Sequence, residues 1–169
     1  MSLIVEDGTG MMDSNSYVSV AEADAYFKLR GITSWANLPT EDKESALVNG
    51  TDYIGVRWSC LKGEVLNEFQ ALAFPRDAWD GIPEAVKRAA MEYALAASED
   101  ELWLRPTVDP SGLAVAERTE KVGPIEERVK YGVNNVTGVG TYMQFAPFPK
   151  ADTLMGPFRC NSQGRVIRA

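Results

Sequence analysis

The sequence predicts a mainly α fold: a small bundle of three to four helices with a short β-hairpin and an extended C-terminal arm. Three observations lead there. Tyr17 to Gly31 writes a short helix with its own punctuation, residues 40–58 carry an apolar stripe at helical spacing, and Ile82 to Ala97 opens on proline and continues through alanines. With 169 residues, 45% of them hydrophobic, and with Trp, Tyr and Phe all present, the chain has enough apolar surface for a core.

Residues 1–16 read as an extended lead-in. Leu3-Ile4-Val5 suits a short edge strand, and Asp7-Gly8-Thr9-Gly10 and Asp13-Ser14-Asn15-Ser16 are turn chemistry. In the first helix Ser19 caps the N-terminus and Glu22, three residues on, closes a capping box. Val20, Ala23, Tyr26 and Phe27 face inward, and Gly31 ends the helix with a positive φ. Gly31 to Pro39 is a connector. Thr40 then caps a second helix, with Glu41 and Asp42 at the positive end of its dipole. Leu47, Gly50, Ile54 and Trp58 share a stripe. A mid-helix glycine costs about 1 kcal/mol against alanine, so Gly50 marks a close helix crossing.

Residues 59–81 read as irregular, with one helical turn near Glu68–Leu72 and a turn at Phe74-Pro75-Arg76-Asp77. Pro83 suits the first position of the third helix, where its missing N–H is harmless. Val86, Ala89, Ala90, Tyr93 and Ala97 form its apolar stripe, and Glu84 and Arg88 are an i, i+4 pair. The helix frays in Ser98 to Glu101. Val108 to Leu113 is turn-rich, and Glu117 to Tyr131 alternates as a β-hairpin with Gly123-Pro124 at its bend. Gln144 to Lys150 is aromatic and proline-broken, which predicts an extended arm; Ala151 to Met155 reads as a short helical turn within it. The expected division is a helical domain with its hairpin at 1–131 and an arm at 132–169.

The residue inventory narrows the chemistry. The chain has no histidine, which removes Ser–His and Cys–His nucleophile systems and histidine metal sites. Cys60 and Cys160 are too few for a four-cysteine zinc site and are expected as free thiols. Gly8-Thr9-Gly10 and Gly138-Val139-Gly140 lack the remainder of a phosphate-binding loop. The carboxylate pairs Glu41/Asp42, Glu99/Asp100/Glu101 and Glu126/Glu127 are sequence neighbours, which diverge on a helix or strand and suit a solvated face. The sequence therefore predicts no catalytic residue, no cofactor and no metal. Nor does it hold an apolar run long enough to cross a membrane or a basic-flanked leader.

Charge is uneven. The net value is −7, yet Lys150, Arg159, Arg165 and Arg168 against Asp152 give +3 over residues 150–169, which leaves −10 on residues 1–149. A basic stretch on an acidic body suits docking onto an acidic surface or phosphate. Phe145 and Phe148 sit in the proline-broken segment, where aromatic residues either anchor in a partner's groove or fold back on their own domain. Phe145, Phe148, Arg159, Arg165 and Arg168 are the candidate partner-interface residues. Trp35, Trp58, Trp79 and Trp103 are scattered without interleaved cations, so packing is their expected role ahead of base stacking.

Three ordered stretches, Tyr17 to Gly31, Thr51-Asp52-Tyr53-Ile54 and Ile82-Pro83-Glu84-Ala85-Val86-Lys87-Arg88-Ala89, resemble the head–tail connector (head completion or adaptor) proteins of tailed bacteriophages and prophages. With Val5-Glu6-Asp7-Gly8-Thr9-Gly10 and Glu120 to Glu126, the chain looks like the branch often labelled DnaT-like. The resemblance covers most of residues 3–131; beyond it, only Asp152-Thr153-Leu154 is similar. It implies a structural virion protein of the neck, made in the host cytoplasm. It also implies a ring of about a dozen copies that docks on the portal protein, meets the next neck or tail protein and lets DNA pass unbound. The alternative that the label carries is a DnaT-like single-stranded-DNA-binding module, for which the overall charge is unfavourable and only the C-terminal stretch is suitably basic.

Overall fold

The computed structural model describes residues 2–100, 102–103 and 146–160, and the backbone of two strands at 117–122 and 125–130. The chain divides into two compact units, one of residues 1–102 with 147 onward and one of residues 103–146. It is mainly helical: α1 (Val20–Lys28), α2 (Thr33–Ala36), α3 (Thr40–Arg57), α4 (Glu84–Glu99) and α5 (Pro149–Met155).

Local chemistry explains most helix boundaries. The capping box of α1 is complete: Ser19 Oγ accepts from the Glu22 N–H at 3.2 Å, and the Glu22 carboxylate accepts from the Ser19 N–H at 2.8 Å. Gly31 holds φ +67° just beyond the helix. The connector after it contains an extra short helix, α2, fixed by Trp35. The indole is buried on Phe27 and donates to Asp24 at 2.8 Å, and Lys43 of α3 pairs with the same carboxylate at 2.9 Å. Two capping expectations shift by a residue. Pro39, not Thr40, is the N-cap of α3, and Pro83 is the N-cap of α4, which starts at Glu84; neither cap makes a side-chain hydrogen bond.

The core is the α3–α4 crossing. Ala46, Leu47, Gly50, Tyr53 and Ile54 on one helix meet Val86, Ala89, Ala90, Tyr93 and Ala94 on the other, all buried. A β-carbon on Gly50 would stand 2.6 Å from the Ala94 amide nitrogen and 2.8 Å from the Ala90 carbonyl oxygen, so the glycine sets how closely the backbones approach. The solvent-side pair Arg88–Glu84 forms at 3.2 Å.

The N-terminal lead-in wraps around a buried carboxylate. Glu6 accepts from the N–H groups of Gly8, Gly10 and Met11 at 2.9–3.1 Å and from the Ser14 hydroxyl at 2.7 Å. Gly8 and Gly10 take positive φ, which lets the loop close on that side chain. The expected edge strand at Leu3 to Val5 reduces to one bridge, Val5 to Ser16.

Two expectations are corrected at the C-terminal end. Residues 146–160 are not an extended arm. The short turn read at Ala151 to Met155 lengthens into α5, which packs on α4 with Ala151 and Met155 buried, and a 3₁₀ turn, Gly156–Phe158, buries Phe158. Hence the compact units part near 102 and 147 and not at 131. Cys60 and Cys160 are joined as a disulfide and are not free thiols; chain folding brings them together across 100 residues of sequence.

In the other unit β1 (Glu117–Val122) and β2 (Ile125–Lys130) pair antiparallel, from Glu117 opposite Lys130 to Val122 opposite Ile125. The bend expected at Gly123-Pro124 and the turns expected at 108–113 lie outside the described residues.

Candidate nucleic-acid interface

Of the five residues singled out in sequence, Phe148 and Arg159 lie in the described structure; Phe145, Arg165 and Arg168 lie outside it. Phe148 is an internal packing residue. Its ring meets those of Tyr53 and Tyr93 edge to face at centroid distances of 5.7 Å each. It is held there by Asp152, which accepts from Arg57 at 2.6 Å, from the Tyr93 hydroxyl at 2.7 Å and from the Phe148 N–H at 3.1 Å. Burial, followed by that hydrogen bond, pushes the Tyr93 hydroxyl pKa well above its usual range, so the phenol stays a donor. Trp58 donates in turn to Tyr93 at 3.1 Å.

Arg159 is different. The chain leaves α3 at Trp58 and pairs with the segment that follows α5. Leu61 and Arg159 form an antiparallel bridge, Lys62 N–H donates to the Phe158 carbonyl at 2.9 Å and Cys160 N–H to the Cys60 carbonyl at 3.2 Å. Two exposed cations, Lys62 and Arg159, thus lie in the two bridged segments, with Arg159 opposite Leu61. Neither has an ion-pair partner among the described residues. Lys62 gives one hydrogen bond to the Pro157 carbonyl at 2.8 Å, which leaves further ammonium donors for an anion.

Beside these cations the chain makes an excursion from Gly63 to Asp77. Its base closes through the Val65–Arg76 bridge and the Asp77 N–H to Glu64 carbonyl bond. Gly63 takes φ +76°, and a β-carbon there would press within 2.6 Å of the Asp77 carboxylate. The Arg76 guanidinium is consumed by structure: it donates to the carbonyls of Lys62, Gly63 and Ala73 at 2.6–3.1 Å. The excursion carries Phe69, which is 65% exposed, and Leu66, also exposed; Met12 of the lead-in is exposed as well. An exposed phenyl can stack a base, and exposed cations can meet phosphates. Glu64, Glu68 and Asp77 share the excursion, so the local charge is mixed.

A second groove, of about 350 Å³ between α1 and α4, is chemically quieter. Lys87 faces Glu22 at 3.7 Å, Arg88 faces Glu84, and Lys150 pairs with Glu92 beyond the rim. Arg30 lies 3.4 Å over the Tyr26 ring. Burial, then the bond to Glu92, pushes the Tyr26 hydroxyl up to about 12. Trp79 meets Phe74 at a tilt and Phe158 edge to face, with centroids 5.8 and 5.1 Å apart, and Trp35 is buried, so both serve packing.

Among the described residues no group of three or more Asp, Glu or Cys side chains is placed to hold a metal ion, and no helix is long and apolar enough to cross a membrane. Sequence reading missed Lys62 and Phe69 because nothing local marks them: Lys62 comes beside the Arg159 segment only through a pairing between residues nearly 100 positions apart.

The model of a family described as "Putative DnaT-like ssDNA binding protein" matches residues 1–169. No curated protein and no solved structure matches the chain.

Proposed function

From the chain's membership of the DnaT-like family we propose that it binds single-stranded DNA, without sequence preference, through the surface around Lys62, Arg159 and Phe69. The observation that carries this reading is the family match over the full chain. The geometry supports it with two exposed cations, Lys62 and Arg159, that have no ion-pair partner among the described residues, and with an exposed phenyl on the excursion that follows Lys62. The net charge of −7 opposes it, so binding is weak, local and salt-sensitive. Fluorescence anisotropy of a labelled oligonucleotide tests it. Micromolar binding at low salt that fades as salt rises is the expected result, and no change in anisotropy at low salt overturns it.

A structural role as a head–tail connector subunit is the second reading. The acidic balance of residues 1–149 favours it, since like charge keeps DNA from sticking to a channel wall. It entails a ring, the portal protein and the next neck or tail protein as partners, and no catalysis. Light scattering with and without purified portal separates the readings: a ring or a portal complex without oligonucleotide binding supports the connector, and a monomer that ignores the portal removes it.

A further inference from the structure

The Cys60–Cys160 disulfide sits inside the surface that carries the two cations: Arg159 directly precedes one cysteine, and Lys62 follows the other with only Leu61 between them. Cys60 is exposed and Cys160 half-buried, so a thiol from solution meets Cys60 first. The other ties on this segment weaken sharply along it. The helix α5 is fixed by the bonds that Asp152 accepts from Arg57, Tyr93 and the Phe148 N–H. Phe158 is buried, with its ring 5.8 Å from Phe74 and 5.1 Å from Trp79. Past Phe158 little remains. The Leu61–Arg159 bridge consists of two bonds, from the Lys62 N–H to the Phe158 carbonyl at 2.9 Å and from the Cys160 N–H to the Cys60 carbonyl at 3.2 Å. Arg159 N–H itself turns back to the Gly156 carbonyl at 3.2 Å. One exposed backbone hydrogen bond has a modest net strength, so the disulfide is the main restraint that keeps Arg159 and Cys160 against Leu61.

We propose that this disulfide is a redox latch: oxidised, it holds the segments that carry Lys62 and Arg159 together, and a dithiol reductant releases Arg159. The thiolate of the reductant attacks Cys60 Sγ, the S–S bond breaks, and Cys160 Sγ leaves and takes up the proton that the first thiol gave up. The second thiol of the reductant then attacks the mixed disulfide and expels Cys60, which takes up the second proton. The protein gains two electrons and two protons, and the reductant ends as a disulfide. Phe158 and α5 stay seated, and Lys62 stays bonded to the Phe158 carbonyl. Two cations fixed side by side thereby become one fixed and one mobile, and a ligand that needs both must order Arg159 as it binds. The latch rests on the single-stranded-DNA reading only for what the surface binds.

Backbone amide relaxation of the full chain, oxidised and then reduced with dithiothreitol, tests the latch without any DNA. On reduction the order parameters of Arg159 and Cys160 are expected to fall from about 0.85 to below about 0.6, while those of Tyr53, Tyr93 and Met155 hold. Rigid Arg159 and Cys160 amides in the reduced protein overturn the proposal. An equal loss throughout α3 and α4 also overturns it, because the crosslink is then a staple of the whole fold. The Cys60→Ser, Cys160→Ser variant should match the reduced protein with or without dithiothreitol, and a response of that variant to the reductant counts against the latch. Oligonucleotide anisotropy at low salt adds the second arm: the reduced chain is expected to bind at least about threefold more weakly than the oxidised one. Equal binding by two forms that differ in Arg159 mobility overturns control of the surface by the latch. No binding by either form removes the DNA reading, and the relaxation data then decide the latch by themselves.

Discussion

The α3–α4 crossing and the C-terminal segment 146–160 share helix α4 but are held by different means. The crossing is nearly all apolar contact between small residues, with Gly50 against Ala90 and Ala94. The C-terminal segment buries Ala151, Met155 and Phe158 but adds ties of other kinds. It is held by the Asp152 hydrogen bonds, by Phe148 between two tyrosines and by one disulfide. A helix pair can be stable through repetition of a face; a fifteen-residue appendage needs specific, long-range ties.

The disulfide gives the largest expected effect. It closes a loop of 100 residues, and in the chain-entropy picture such a crosslink contributes about 4–5 kcal/mol. Replacing both cysteines by serine should lower the denaturant midpoint accordingly. An unchanged midpoint would mean that the polar and aromatic ties alone hold the segment. Gly50→Ala probes the other region. Alanine is the better helix former by about 1 kcal/mol, yet the new methyl meets backbone atoms of α4 that cannot move aside independently. A net loss of about 1–3 kcal/mol is expected from overpacking. If urea unfolding instead shows stabilisation, the crossing is looser than described. Asp152→Asn is the mildest of the three. The Arg57–Asp152 pair is mostly shielded from solvent, with 14% and 22% of the side chains exposed, so losing the charge should cost about 1–2 kcal/mol. Hydrogen exchange should rise in 148–158 and stay unchanged in α4 before Tyr93. Equal loosening of both regions would erase the distinction between them.

The same contrast explains what could be read from sequence. The capping box at Ser19 and Glu22, the stripe through Leu47 and Ile54, the close approach at Gly50 and the Glu84–Arg88 pair are local, with partners within a turn or two or a period that repeats, and all four are present. What stayed hidden depends on residues distant in sequence. Gln144 to Lys150 has no helical period, so nothing in it announces that Phe148 fits between Tyr53 and Tyr93. Two cysteines 100 residues apart carry no pairing signal. Glu6 looked like one acid in a turn-rich lead-in, and only the folded loop shows three N–H groups and a hydroxyl converging on it. The candidate site was half legible: Arg159 stood out within a basic stretch, while Lys62 gains meaning only through the Leu61–Arg159 bridge and Phe69 only through its exposure in the fold.

The proposed single-stranded-DNA contact is tested most directly by the salt dependence of oligonucleotide binding in the Lys62→Glu, Arg159→Glu variant beside the native chain. If these two cations meet phosphates, the slope of log affinity against log salt becomes shallower by about 1.4 and affinity falls at least about tenfold at low salt. Identical affinities and slopes for the two proteins would contradict the assignment.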